Sequence, residues 1–142
     1  MSEMEPRTDT THYDDPRRLR ELLARAGDLA AQHGLRSVLV GLSGFEGDLT
    51  FPEIVRFVES ALRVDDSVFR MTRERVLLLL TDIDEKGATA IMTRMLEDFR
   101  EHFPSVDAPS VGLGYFEVAP GVHDLTIKVV LPILFASPPK SH

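Results

Sequence analysis

The sequence predicts a single α/β or α+β domain, with one central sheet flanked by helices, and three observations carry that prediction. Apolar residues recur at helical spacing in separate stretches, the first containing Leu19, Leu22, Leu23, Ala26, Leu29 and Ala30. Between such stretches lie short apolar runs, Ser37 to Leu42 and Val76 to Leu80, of strand length. Neither an internal repeat nor a long linker divides the chain, whose 142 residues suit one domain with a sizeable core.

Residues 1–15 are polar and aperiodic and predict a disordered N-terminal tail ahead of a domain spanning 16–136. Pro16 opens a helix that Gly34 terminates. A buried strand over 37–42 follows, then a loop over 43–48. The next helix covers 51–62, with Pro52 in its first turn and Ile54, Val55, Val58 and Leu62 as its apolar face. Residues 67–71 and 75–80 read as paired strands joined by a turn at 72–74. The continuous run from Val76 to Leu80 suits a strand covered on both faces.

The clearest amphipathic helix covers 85–103, with Ala88, Ile91, Met95, Leu96 and Phe99 on one side. Residues 111–118 read as another strand. The stretch 124–136 stays open between helix and strand: Ile127, Val129 and Val130 favour a strand, and Pro132 counts against both. Residues 137–142 read as a frayed C-terminal tail.

Composition narrows the function. With 43% hydrophobic and 27% charged residues, the chain is that of a folded globular protein. A formal charge of -7 argues against nucleic-acid binding and against anionic membranes, while leaving room for a small anionic ligand on a local basic cluster. The absence of cysteine excludes disulfides, thiolate metal sites and Cys nucleophiles. No stretch is long or apolar enough to span a membrane and no signal sequence is evident, so a cytoplasmic location without membrane insertion is expected.

One segment carries more chemistry than the rest. Arg63 and Asp66 form an Arg-x-x-Asp element, Arg70 follows, and Thr72, Arg73, Glu74, Arg75 and Val76 come directly after. This order and spacing resemble the GGDEF family of diguanylate cyclases, in which an Arg-x-x-Asp element stands five residues upstream of the GGDEF signature. Further segments are similar in the same order. Residues 38–45 look like the family's first strand, with Phe45 kept and Gly41 and Ser43 in place of two aspartates. Residues 110–114 look like a late strand, and Asp124 with Leu125 like the start of the closing helix. The resemblance covers roughly 17–136 and implies a degenerate GGDEF-like domain with a central, mostly antiparallel sheet flanked by helices.

The resemblance implies loss of catalysis. The family joins two GTP molecules by attack of a 3′-hydroxyl on an α-phosphate, assisted by divalent metal held on carboxylates. At the matching positions this chain has Gly41, without a side chain, and Arg75, a cation; Glu74 alone is no Mg²⁺ site. Thr72 and Arg73 put side chains where the signature's glycines let backbone approach a phosphate. No enzymatic activity, no metal and no cofactor are therefore expected.

The same resemblance implies that Arg63 and Asp66 bind cyclic di-GMP, the family's product, as ligand. An arginine fork donates to guanine N7 and O6, and a carboxylate accepts from N1 and N2 on the other edge. Arg70 is a further candidate for the site, and Arg73 or Arg56 offer other cations. The reading is a bacterial, non-catalytic receptor that signals to a protein partner or through a homodimer contact. Its alternative is a nucleotide-independent scaffold on the same fold, since Arg-x-x-Asp is a weak pattern that Arg25 and Asp28 share.

Other motifs carry less. Gly41 to Phe45 lacks the last glycine of a nucleophile elbow. Asp82 to Gly87 resembles a calcium loop but has Lys86 at a ligand position, and suits a helix cap better. The histidines at 12, 33, 102, 123 and 142 have no metal-ligand spacing. Met92 and Met95 suit core packing. Arg17, Arg18 and Arg20 suit a solvated helix face.

Overall fold

The computed structural model describes residues 14–104, 110–122 and 125–141. Along the chain come α1 (Pro16–His33), β1 (Ser37–Ser43), α2 (Phe51–Ala61), β2 (Ser67–Thr72), β3 (Arg75–Thr81), α3 (Glu85–His102), β4 (Ser110–Val118), α4 (Ile127–Leu134) and β5 (Lys140–Ser141). The sheet order is β2-β3-β1-β4-β5, and every neighbouring pair is antiparallel. β1 is the centre. It runs in register against β3 from Ser37↔Thr81 to Ser43↔Arg75, and against β4 from Ser37↔Val118 to Ser43↔Gly112.

Alternation along the strands divides the core into two layers. Val38, Val40, Leu42, Val76, Leu78, Leu80 and Val111 face α2 and α3. Leu39, Phe69, Leu77, Leu79 and Val118 face α1 and α4. The leucine run of β3 is therefore buried on both faces, as its unbroken apolarity predicts; each such side chain contributes about 1.5–3 kcal/mol relative to exposure. Met92 and Met95 are buried in the first layer.

Local chemistry sets the helix ends. The Asp15 carboxylate accepts the Arg17 N–H at the start of α1, Pro16 supplies a fixed φ, and Gly34 ends the helix in the left-handed region at φ 63. Asp84 caps α3 by accepting the Gly87 N–H at 2.8 Å, so the acidic loop is a helix cap.

Three expectations need correction or completion. Asp14 and Asp15, assigned to the tail over 1–15, belong to the ordered domain: besides the Asp15 cap, Asp14 donates its N–H to the Arg70 carbonyl and accepts the Arg70 N–H on its carboxylate. Residues 1–13 lie outside the described residues. Residues 137–142 are not simply a frayed tail, because Lys140 and Ser141 pair with Val111 and Ser110 as β5; residue 142 is outside the described residues. The open stretch 124–136 resolves as a helix from Ile127, capped by the Thr126 side chain, with Asp124 outside the described residues. Pro132 removes one intrahelical bond there, a cost that burial of Val130 and Leu134 together, four apart, offsets.

Candidate functional site

The chain leaves α2 at Ala61 and enters β2 at Ser67, and the Arg-x-x-Asp element occupies the turn between them. The turn closes by a bond from the Asp66 N–H to the Arg63 carbonyl at 3.0 Å. Asp66 points inward, its side chain only 5% exposed against 57% for Arg63. One carboxylate oxygen accepts the Thr81 N–H at 3.0 Å and lies 3.4 Å from the Thr81 hydroxyl. The other accepts the Arg63 N–H at 3.0 Å and lies 3.6 Å from Arg63 Nε. Arg63 in turn donates through a terminal guanidinium nitrogen to the Thr81 carbonyl. Asp66 thus brackets the turn to the end of β3, and the bracket holds the Arg63 guanidinium half out in solvent.

Arg70 is engaged on α2, through Glu59, which stands four residues before Arg63. The register partner of Arg70 on β3 is Val76, five positions from Thr81, roughly 16 Å of backbone at strand rise. The geometry brings Arg63 and Asp66 together and leaves Arg70 in a separate ion pair. Arg56 pairs with Glu53 at 3.0 Å.

A cation that spacing alone set aside comes to the turn instead. Arg25 reaches from α1 to donate to the Asp65 carbonyl at 3.0 Å and the Ser67 hydroxyl at 3.3 Å. The available signal was its place on the helix: Arg25 flanks the buried stripe of Leu22, Leu23 and Ala26, where a long side chain reaches the neighbouring element. Nothing local to Thr81 marks it as a partner of Asp66.

Positions 41 and 75, which the sequence resemblance sets against catalytic positions, are closely packed. Gly41 and Gly114 are cross-strand partners, and the last turn of α4 lies on them. A Cβ at Gly41 would stand 2.6 Å from the Leu134 carbonyl oxygen, and one at Gly114 only 2.1 Å from it. Arg75 lays its guanidinium over the Phe135 ring, 5.1 Å from the centroid. Ser43, Glu74, Arg75 and residues 135–139 line a polar cavity of about 330 Å³ there.

The residues at positions 41 and 75 do not fit the divalent metal that active diguanylate cyclases use. Position 41 has neither a donor nor room for one, and position 75 offers a cation already seated on an aromatic ring. Two unit charges at 4 Å interact by about 4 kcal/mol at an effective dielectric near 20, so Arg75 repels a metal ion brought to its side.

A second cavity, about 390 Å³, lies between α3 and β4. Leu96, Leu113 and Tyr115 give it an apolar lining, and Thr93, Glu97 and Arg100 add polar groups. Burial pushes the Tyr115 phenol above its ordinary value; a hydrogen bond with Thr89 partly opposes this shift and the nearby Glu85 charge adds to it.

No protein-family model and no curated protein matches the chain. Solved structures do. The FimX GGDEF domain from Pseudomonas aeruginosa superposes at a TM-score of 0.63 with 12% identity, over 81% of this chain and 85% of that one. The fold is GGDEF-like. PelD from Pseudomonas aeruginosa PAO1, from residue 158 to its C-terminus, gives a TM-score of 0.62 and 23% identity over 87% of this chain. The match spans 46% of the PelD structure. At these identities the likeness is one of fold. The GGDEF-like architecture agrees with the antiparallel sheet and flanking helices that the sequence resemblance implies.

Proposed function

We propose that the chain is a non-catalytic regulatory protein that binds cyclic di-GMP at the turn after α2 and passes the signal on by protein–protein contact. The observation that carries this reading is the presentation of Arg63 on a GGDEF-like fold: a buried carboxylate fixes the turn, and a half-exposed guanidinium is held at its rim. A guanidinium held in place loses less freedom on binding and keeps donors for guanine N7 and O6 and a flat face for stacking. Asp66 positions that group. Its carboxylate has lone pairs left to accept from guanine N1 and N2, but at 5% exposure the turn must open for a base edge to reach them. Arg25 secures the turn from the other side, and Arg70 stays with Glu59.

The packing of α4 against Gly41 and of Arg75 on Phe135 supports the absence of catalysis in this reading. Calorimetric titration of cyclic di-GMP into wild type and Arg63→Ala, with GTP as control, tests the reading. Micromolar or tighter binding, about -8 kcal/mol or better, that disappears in Arg63→Ala is expected. Absence of binding to wild type would defeat it.

A specific observation favours the second reading, a nucleotide-independent scaffold. Both Asp66 oxygens already have protein partners without any ligand, so the turn is complete as a structural corner. Under that reading wild type ignores the nucleotide, and a protein partner binds Arg63→Ala as well as wild type.

A further inference from the structure

The two edges of the sheet are treated differently. At the β2 edge, Asp14 engages both the N–H and the carbonyl of Arg70, and Arg25 takes the Asp65 carbonyl just before the strand. That edge is engaged at Arg70 and just ahead of Ser67. At the other edge β4 is nine residues long, and among the described residues β5 pairs only with Ser110 and Val111. Ser137 and Pro138 continue beside Gly112, and Ser137 reaches the rim of the cavity next to Leu113; among the described residues, Gly114 to Val118 has a strand partner on its β1 side alone.

Sheet edges left like this are templates for another strand, and proteins usually blunt them with lysine, proline or a bulge. β4 has no lysine and no proline between Ser110 and Val118. Its one charge, Glu117, is turned to other use, paired with Arg36 at 2.7 Å and accepting the Glu85 N–H at the start of α3. Beside this stretch lies the cavity between α3 and β4, with Leu113 and Tyr115 contributed by the strand itself.

We propose that the Gly114–Val118 edge takes up an extended segment of a partner protein as an added strand, with an alternate apolar side chain of that segment seated in the α3–β4 cavity. An added strand supplies main-chain hydrogen bonds to the edge, and every second side chain points to the face where the cavity lies. A cavity of about 390 Å³ has room for a leucine, methionine or phenylalanine side chain.

A second copy of this chain fits the same place poorly. In a β4-to-β4 pair, the side chains offered on the cavity face would be Leu113 and Tyr115 of the partner copy, already under that copy's own α3. An isolated extended segment brings no covering helix. The net charge of -7 favours basic residues flanking the apolar anchor. The inference concerns a face separate from the Arg63 turn and stands whether or not a nucleotide binds there.

The test is selection of a randomised, displayed peptide library on the full chain, followed by anisotropy with synthetic copies of the enriched peptides. The expected consensus has apolar residues at alternate positions with basic neighbours. Thr93→Arg, on the exposed side of α3, should block the cavity and weaken binding by roughly tenfold or more, as should N-methylation of alternate peptide amides. An unchanged melting curve for Thr93→Arg ties that loss to the cavity rather than to unfolding. The proposal is overturned by no enrichment, by a consensus at helical spacing, by indifference to N-methylation, or by a sedimenting dimer that Thr93→Arg dissolves, which would give the edge to a second copy.

Discussion

Replacing Asp66 by alanine separates the two jobs folded into the Arg-x-x-Asp turn. The carboxylate is 5% exposed and accepts two main-chain N–H groups at 3.0 Å, from Thr81 and Arg63. Hydrogen bonds to a charged group contribute about 1.5–3 kcal/mol each, and a buried donor left without a partner costs about 1–3 kcal/mol. Thr81 is buried, so its N–H stays unsatisfied in the variant, whereas the Arg63 N–H is exposed and rehydrates. The expected loss for Asp66→Ala is therefore about 2–4 kcal/mol. Arg63→Ala removes an exposed ion pair and one bond to a carbonyl, for about 1 kcal/mol or less. Urea unfolding followed by circular dichroism measures both, and amide exchange at Thr81 localises the effect. Equal losses for the two variants, or less than about 1 kcal/mol for Asp66→Ala, would refute the bracket. If it holds, loss of ligand binding in Asp66→Ala reports a collapsed turn, and Arg63→Ala is the informative variant for recognition.

Other outcomes follow from the same geometry. Gly41→Asp, which introduces a carboxylate of the GGDEF pattern, should lower the melting temperature through an overpacking cost of about 1–3 kcal/mol and should not produce turnover of GTP with Mg²⁺; a stable, metal-binding variant would contradict the placement of α4. Arg25→Ala should speed amide exchange at Asp66 and Ser67 while costing about 0.5–1 kcal/mol in global stability; unchanged exchange there would show that α1 does not secure the turn. Tyr115 should ionise above the ordinary tyrosine value of 10.0 because burial disfavours its phenolate. Its neutral form then favours the folded state at pH below about 10, and that contribution fades as pH rises through the folded-state value. Ultraviolet titration of phenolate with and without Phe substitution at 115 checks this, and a titration at or below the ordinary value would be the wrong sign.

Much of the fold was readable because local signals agreed with the final packing. The leucines of β3 needed both faces buried, and Pro16, Pro52, Asp84 and Gly34 punctuated helices where the backbone required it. The rest depended on partners distant in sequence. Residues 127–134 carry β-branched side chains and a proline, and they become helical because the last turn has a glycine seam to lie on. Lys140 and Ser141 look like tail until Ser110 and Val111 are placed beside them. In the candidate site the pairing of Arg63 with Asp66 was legible, but the burial of Asp66 was not, because Thr81 lies 15 residues away. Arg25 shares the same weak spacing with Asp28, and its contact with the turn exists only once α1 is packed on the sheet.

The glycine seam under α4 also gives the sequence a direction of change. A side chain at Gly41 or Gly114 meets the Leu134 carbonyl before it can do anything useful, so each such substitution is harmful while α4 lies where it does. Withdrawing α4 first is harmful too, since it strips cover from Leu39 and Leu77 on that face. Neither move is tolerated alone, and only a simultaneous change crosses the gap. The Arg63 turn and the β4 edge can vary one residue at a time, but an acidic side chain at position 41 of β1 requires α4 to move in the same step, as a ratchet tooth yields only when the pawl is lifted with it.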